Sequence, residues 1–128
     1  MGIAVAEGEN VYVASRADNS EDNFNAFLRF VFGRDVKKTV HNKKDLRCEL
    51  RSEKLAIENV VFDTALAAYV LDATRKRYDL VSVSHTYGVE LDVPCDKLSD
   101  PANFSPLMGS EEGLCALATA AETLCFIE

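Results

Sequence analysis

With 128 residues and 48% hydrophobic content, the chain has the size and apolar share of a single folded domain with a substantial core, which argues against disorder. No apolar run approaches the roughly 20 residues that a bilayer-crossing helix needs, and no basic segment leads into an apolar one near Met1, so neither a membrane protein nor an intact secretory precursor is expected. A net charge of −7 opposes general attraction to nucleic acid, because phosphate binding rests on neutralising lysines and arginines.

The chain opens with two β-prone runs around Gly8-Glu9-Asn10, which predicts a hairpin over residues 2–14. Ser20 is placed to cap a helix whose Phe24, Phe27, Leu28 and Val31 recur at i, i+3, i+4 and i+7, with Gly33 as its stop. A short strand is expected over residues 36–40. Asn42 then caps a helix running to about Leu55, with Leu46 and Leu50 on its inner side. Val60, Val61 and Phe62 form another strand, and Asp63 caps a helix over residues 64–72. That helix is apolar on nearly every side and is expected to be central and buried. Residues 79–87 read as a short helix ended by Gly88. Three prolines, Pro94, Pro101 and Pro106, mark residues 89–109 as a connection. Residues 111–126 read as a last helix, with Leu114, Leu117, Ala118, Ala121, Leu124 and Cys125 on one face. There is no internal repeat and no second domain; strands mixed with helices in this order predict an α/β or α+β sandwich.

Three stretches carry a resemblance: His41-Asn42-Lys43-Lys44-Asp45-Leu46, the run from Ile57 through Phe62-Asp63-Thr64-Ala65-Leu66-Ala67-Ala68-Tyr69-Val70-Leu71-Asp72, and Arg77-Tyr78-Asp79-Leu80. Together they resemble the 3′–5′ exonuclease domain of bacterial DNA polymerase I. The likeness extends weakly to Gly2-Ile3-Ala4-Val5-Ala6 and to the last helix. It implies an α/β, RNase H-like fold, a mixed sheet flanked by helices, here lacking the first strand, which would precede Met1. Active members of that family bind two divalent metals through four carboxylates. Hard divalent cations need oxygen ligands, and a two-metal site both activates water and stabilises the leaving oxygen.

Carried over residue by residue, the likeness places Asn42 on the family's Asn-x-x-x-Asp motif, but Leu46 where the motif has its Asp. Asp45 lies one residue away, a rotation of about 100 degrees on a helix. In the last helix Cys115 falls on the motif's Tyr and Thr119 on its Asp, and the strand bearing the family's Asp-x-Glu pair is absent. No catalytic residue and no metal ligand is therefore expected. A cluster of Asp45, Glu122 and Glu111 or Glu112 is the one conceivable substitute. His41 reads as a packed strand-end residue rather than a general base, and Asp63 as a helix cap. The cysteines Cys48, Cys95, Cys115 and Cys125 form no CxxC pair and read as free thiols in a reducing, cytoplasmic compartment.

Charge is unevenly spread. Residues 34–54 hold eight basic side chains against four acidic ones, and the rest of the chain six against seventeen. A solvated helix face is the plainer account of this stretch. The alternative is a DNA-backbone contact through Lys43, Lys44 and Arg47. Three readings stand. The first is an inactive exonuclease-like domain that supports the polymerase domain of the same parent chain, reaching DNA through that chain. The second is a DNA-backbone-binding module, and the third an active nuclease with a shifted metal site. For this segment no cofactor is expected, Mg²⁺ belonging to the parent polymerase domain. An edge left by the missing strand predicts pairing between two copies or a rearranged sheet.

Overall fold

The computed structural model describes residues 1–89. The expected connection and last helix, with Cys115, Thr119 and Glu122, lie outside the described residues.

Strand β1 (Gly2–Glu7) pairs antiparallel with β2 (Asn10–Ser15), from Gly2 opposite Ser15 to Glu7 opposite Asn10. Gly8 has φ +59°, the left-handed backbone that a two-residue hairpin turn demands at its first central position. Ile3 and Val5, two apart and so on one face, lie with Ala14 against the core.

Helix α1 (Glu21–Phe32) begins where Ser20 Oγ accepts from the amide of Asn23, with Glu21 and Asp22 favourably placed in its positive first turn. Phe24, Leu28, Val31 and Phe32 are buried and, with Leu50, form the main core; Phe27, Leu46, Leu55 and Ile57 pack around them. Gly33 ends the helix, though not through a left-handed φ. A Cβ there would stand 2.8 Å from the carbonyl oxygen of Arg29, so only glycine lets the chain leave this close to the last turn.

Strand β3 (Lys38–Val40) and β4 (Val60–Asp63) are parallel, Val40 lying opposite Asp63, and α2 (Lys43–Ser52) supplies the crossover that a parallel pair requires. Among the described residues the strands thus make two separate two-stranded sheets rather than one mixed sheet. The ammonium group of Lys38 donates to the carbonyls of Gly33, Val36 and Glu58, fastening both approaches to this pair.

Helix α2 stops at Ser52, three residues short of the expected end. Lys54 takes φ +57°, its amide donates to Arg51 O at 3.1 Å, and the Leu55 amide donates to Leu50 O at 2.9 Å. These two bonds make a Schellman turn with lysine at the usual glycine place, and they fold Leu55 back beside Leu50.

Helix α3 (Thr64–Leu71) departs from a second expectation, since among the described residues it is not central and buried. Only Thr64 and Ala68 are buried, whereas Leu66 is 60%, Val70 74% and Leu71 73% exposed. The reason is geometric: β4 and α4 (Leu80–Thr86) are its main neighbours, and they meet one narrow stripe. A short helix forms where one was expected, ended by Gly88 at φ +75°, but Asp79 is its N-cap rather than its first residue. Among the described residues no helix is long and apolar enough to cross a membrane.

Candidate functional site

Because β3 and β4 run parallel and end side by side, α2 and α3 start next to each other at the carboxyl ends of the strands, the usual place for a binding crevice in such units. The Asp63 carboxylate sits between the two helix beginnings. Its Oδ1 accepts from the amides of Ala65 at 3.0 Å, Leu66 at 3.3 Å and Asn42 at 3.0 Å, and its Oδ2 from that of Lys43 at 2.7 Å. One side chain thus caps two helices. Burial pushes this carboxyl up, but the amides of Lys43, Leu66, Asn42 and Ala65 together prevail and hold it below the usual carboxylate range.

Asn42 carries φ 59° and ψ 69°, a left-handed conformation that asparagine tolerates better than most residues. Its side-chain oxygen accepts from the Asp45 amide at 3.3 Å, while its Nδ2 donates to Asp45 Oδ2 at 2.5 Å. Asp45 is therefore exposed and tied to the cap. Leu46, the next residue, turns inward and packs against the cluster of Phe24, Leu28 and Leu50. The rotation of about 100 degrees between neighbours on a helix separates the polar from the apolar role.

His41 ends β3, and its Nδ1 shares a 2.7 Å hydrogen bond with Thr64 Oγ1. Burial pushes its pKa down against the opposing pull of Asp63, so it is held neutral and packed.

Beside these caps lies an open cleft of about 710 Å³ lined by Asn42, Lys44, Ala65, Tyr69, Tyr78 and Asp79. Tyr69 and Tyr78 meet edge to face with ring centroids 5.6 Å apart, and Tyr78 donates its hydroxyl to Asp72 O at 2.7 Å. Of the three lysines and arginines singled out by sequence, Lys44 lines the cleft. Lys43 and Arg47 are exposed on the same first turns of α2, and Lys43 also donates its backbone amide to Asp63. The basic stretch as a whole does not converge: Lys38 is spent on carbonyls, and Arg34 pairs loosely with Glu58 at 3.9 Å.

The described residues do not fit a divalent metal pair. Among them no three histidine, cysteine or acidic side chains come together. Asp63 has both oxygens engaged by amides, and Leu46 packs against the core cluster. Two features escaped sequence reasoning. The second cap made by Asp63 joins residues 20 apart, and the Tyr69–Tyr78 cleft wall depends on how the chain returns after α3. Neither has a local sequence signal.

A family model described as DNA polymerase I, ribonuclease H-like domain, matches residues 1–97. Searches of curated proteins and of solved structures returned no match.

Proposed function

The chain belongs to the DNA polymerase I ribonuclease H-like domain family, and from that premise we propose that it is an exonuclease-like domain that has lost metal-dependent hydrolysis and serves as structural support for a polymerase domain in the same parent chain. The observation that carries this reading is the pair Asp45 and Leu46. Asp45, one residue before Leu46, is turned outward and bonded to Asn42, while Leu46 is half-buried against the core, where a cation would have to displace apolar contact and forgo its water. In this reading Asp63, Asn42 and Lys38 preserve the family's helix and strand junctions after the chemistry is gone. The partner is the polymerase domain, with DNA reached through the parent chain and the protein working in the cytoplasm.

The test is incubation of the purified chain with single-stranded DNA and Mg²⁺ or Mn²⁺. No mononucleotide release is expected. Metal-dependent release that Asp45→Asn abolishes would overturn the reading in favour of an active nuclease with a shifted site.

A second reading, a DNA-backbone contact, is favoured by one observation: Lys44 faces a cleft walled by two tyrosines, with Lys43 and Arg47 exposed nearby. Such a groove combines a cation for phosphate with rings for bases. It predicts single-strand affinity that falls steeply with salt and weakens on replacing Lys43, Lys44 and Arg47; no binding at low salt refutes it. Self-association through strand edges predicts a dimer in sedimentation, and a monodisperse monomer at high concentration rules that out.

A further inference from the structure

Among the described residues the Lys38 ammonium forms no ion pair; three backbone oxygens converge on it instead. Its Nζ lies 2.9 Å from Gly33 O, 2.6 Å from Val36 O and 2.6 Å from Glu58 O. Gly33 and Val36 stand just past the end of α1, the negative pole of that helix. Among the described residues no backbone amide donates to any of the three oxygens. Carbonyl oxygens only accept, so the head group must carry all three hydrogens to serve them, although burial pushes its pKa down against the pull of Glu58. Convergent carbonyls of this kind are what replaces water around a cation in ion-binding sites generally.

We propose that Gly33 O, Val36 O and Glu58 O form a binding site for a primary alkylammonium ion, occupied by the protein's own Lys38, and that the occupied site fixes the register of β3 on β4. The site joins the end of α1 to the approach of β4. The same two stretches are linked by the Glu58 amide donating to Phe32 O at 2.9 Å, and by Asn59 Nδ2 donating to Arg34 O at 2.8 Å. The Lys38 amide adds a bond to Asn59 O at 3.2 Å. Immediately beyond this knot the pairing steps from Lys38 opposite Val60 to Thr39 opposite Phe62, passing over Val61. That step sets Val40 opposite Asp63 and brings the Asp63 carboxylate to the amides of Asn42 and Lys43. A pairing displaced by one residue would turn the side chain of Asp63 to the other face, away from the start of α2. Lys38 is thus a positioning residue, acting through Asp63 on the two helix beginnings.

Chemical rescue in the full chain tests the proposal. Lys38→Ala removes the equivalent of a propylammonium ion and leaves the three carbonyls in place, so its urea midpoint should fall below that of the parent. Propylammonium chloride should raise the variant's midpoint, with the folded-to-unfolded ratio growing about tenfold once the salt reaches ten times its dissociation constant. Tetramethylammonium chloride at the same concentration has the charge but no N–H to donate, and should leave the variant where it was. The parent, whose site is filled, should respond to neither salt. Propylammonium should also restore slow hydrogen exchange at the Asn42 and Lys43 amides, the two that Asp63 holds. Equal effects of the two salts on the variant, an equal propylammonium effect on the parent, or recovered stability without recovered protection of those two amides overturns the proposal. Should the variant fail to fold even with propylammonium, the parent supplies the measurement. Nitrogen-15 spectra of its lysine ammonium groups at neutral pH should show a slowly exchanging Lys38 signal, while those of the exposed Lys37, Lys43 and Lys44 are lost to exchange with water. A Lys38 ammonium that exchanges as fast as these three overturns the proposal.

Discussion

Replacing Asp63 tests whether one carboxylate joins two helices. The α3 cap by itself follows the ordinary pattern, for which loss of the side-chain oxygen costs about 1 kcal/mol. The two amides from the start of α2 add a tertiary contribution of charge-assisted bonds, each worth roughly 1.5–3 kcal/mol when well enclosed. Asp63 is only half-buried, so solvent screening reduces these, and about 2 kcal/mol for the pair is a fair discounted figure. Asp63→Ala should therefore cost about 3 kcal/mol in urea unfolding, read as a lower midpoint at unchanged m-value. Asp63→Asn should cost roughly half as much, since its amide oxygen can serve the Oδ1 partners while its NH₂ group faces the Lys43 amide, donor against donor. The pH dependence has a definite sign. The folded-state pKa is lowered, so the stabilisation is complete above the unfolded value of about 3.9 and disappears as pH falls through the folded value. Between about pH 5 and pH 2 the parent should thus lose more stability than Asp63→Asn. A cost near 1 kcal/mol for Asp63→Ala, or parallel acid profiles, would show that only the local α3 cap matters.

Other substitutions probe separate parts of the structure. Lys54→Gly should stabilise the chain by about 1 kcal/mol in the same denaturation assay, because glycine adopts the left-handed Schellman position without strain. Gly33→Ala should lower the thermal midpoint, since its new methyl meets the Arg29 carbonyl at 2.8 Å and the opposing atom is backbone that cannot easily move. Leu46→Asp should destabilise by about 2 kcal/mol by replacing a half-buried leucine packed against the core with a carboxylate, and isothermal titration should still detect no Mn²⁺ binding. His41 acts at higher pH. Its folded pKa is lowered, so its stabilisation is present above about 6.5 and lost as pH falls below that, and His41→Gln should flatten the stability profile in that window.

Local signals carried much of the architecture. Ser20, Asn42 and Asp63 cap the helices expected of them, and Gly8 turns the hairpin where the β-prone runs meet, because capping and turn chemistry act within four residues. The inward face of α1 was equally legible from its 3.6-residue period, as was the inward position of Leu46 against the outward Asp45. The end of α2 was not. Lysine and leucine continue a helix by propensity, and only the contact of Leu55 with Leu50 makes the chain reverse at Lys54.

What the sequence alone determined is therefore the order of the described elements and the caps of α1, α2 and α3, since each depends on residue type and short-range spacing. Tertiary structure decided the rest: that Asp63 serves α2 as well as α3, that Tyr69 and Tyr78 close on Lys44, and that an apolar helix lies exposed along one face. These depend on which chain ends the parallel pairing of β3 and β4 brings together. A helix hydrophobic all round specifies that it needs neighbours but carries no directional information about where they stand.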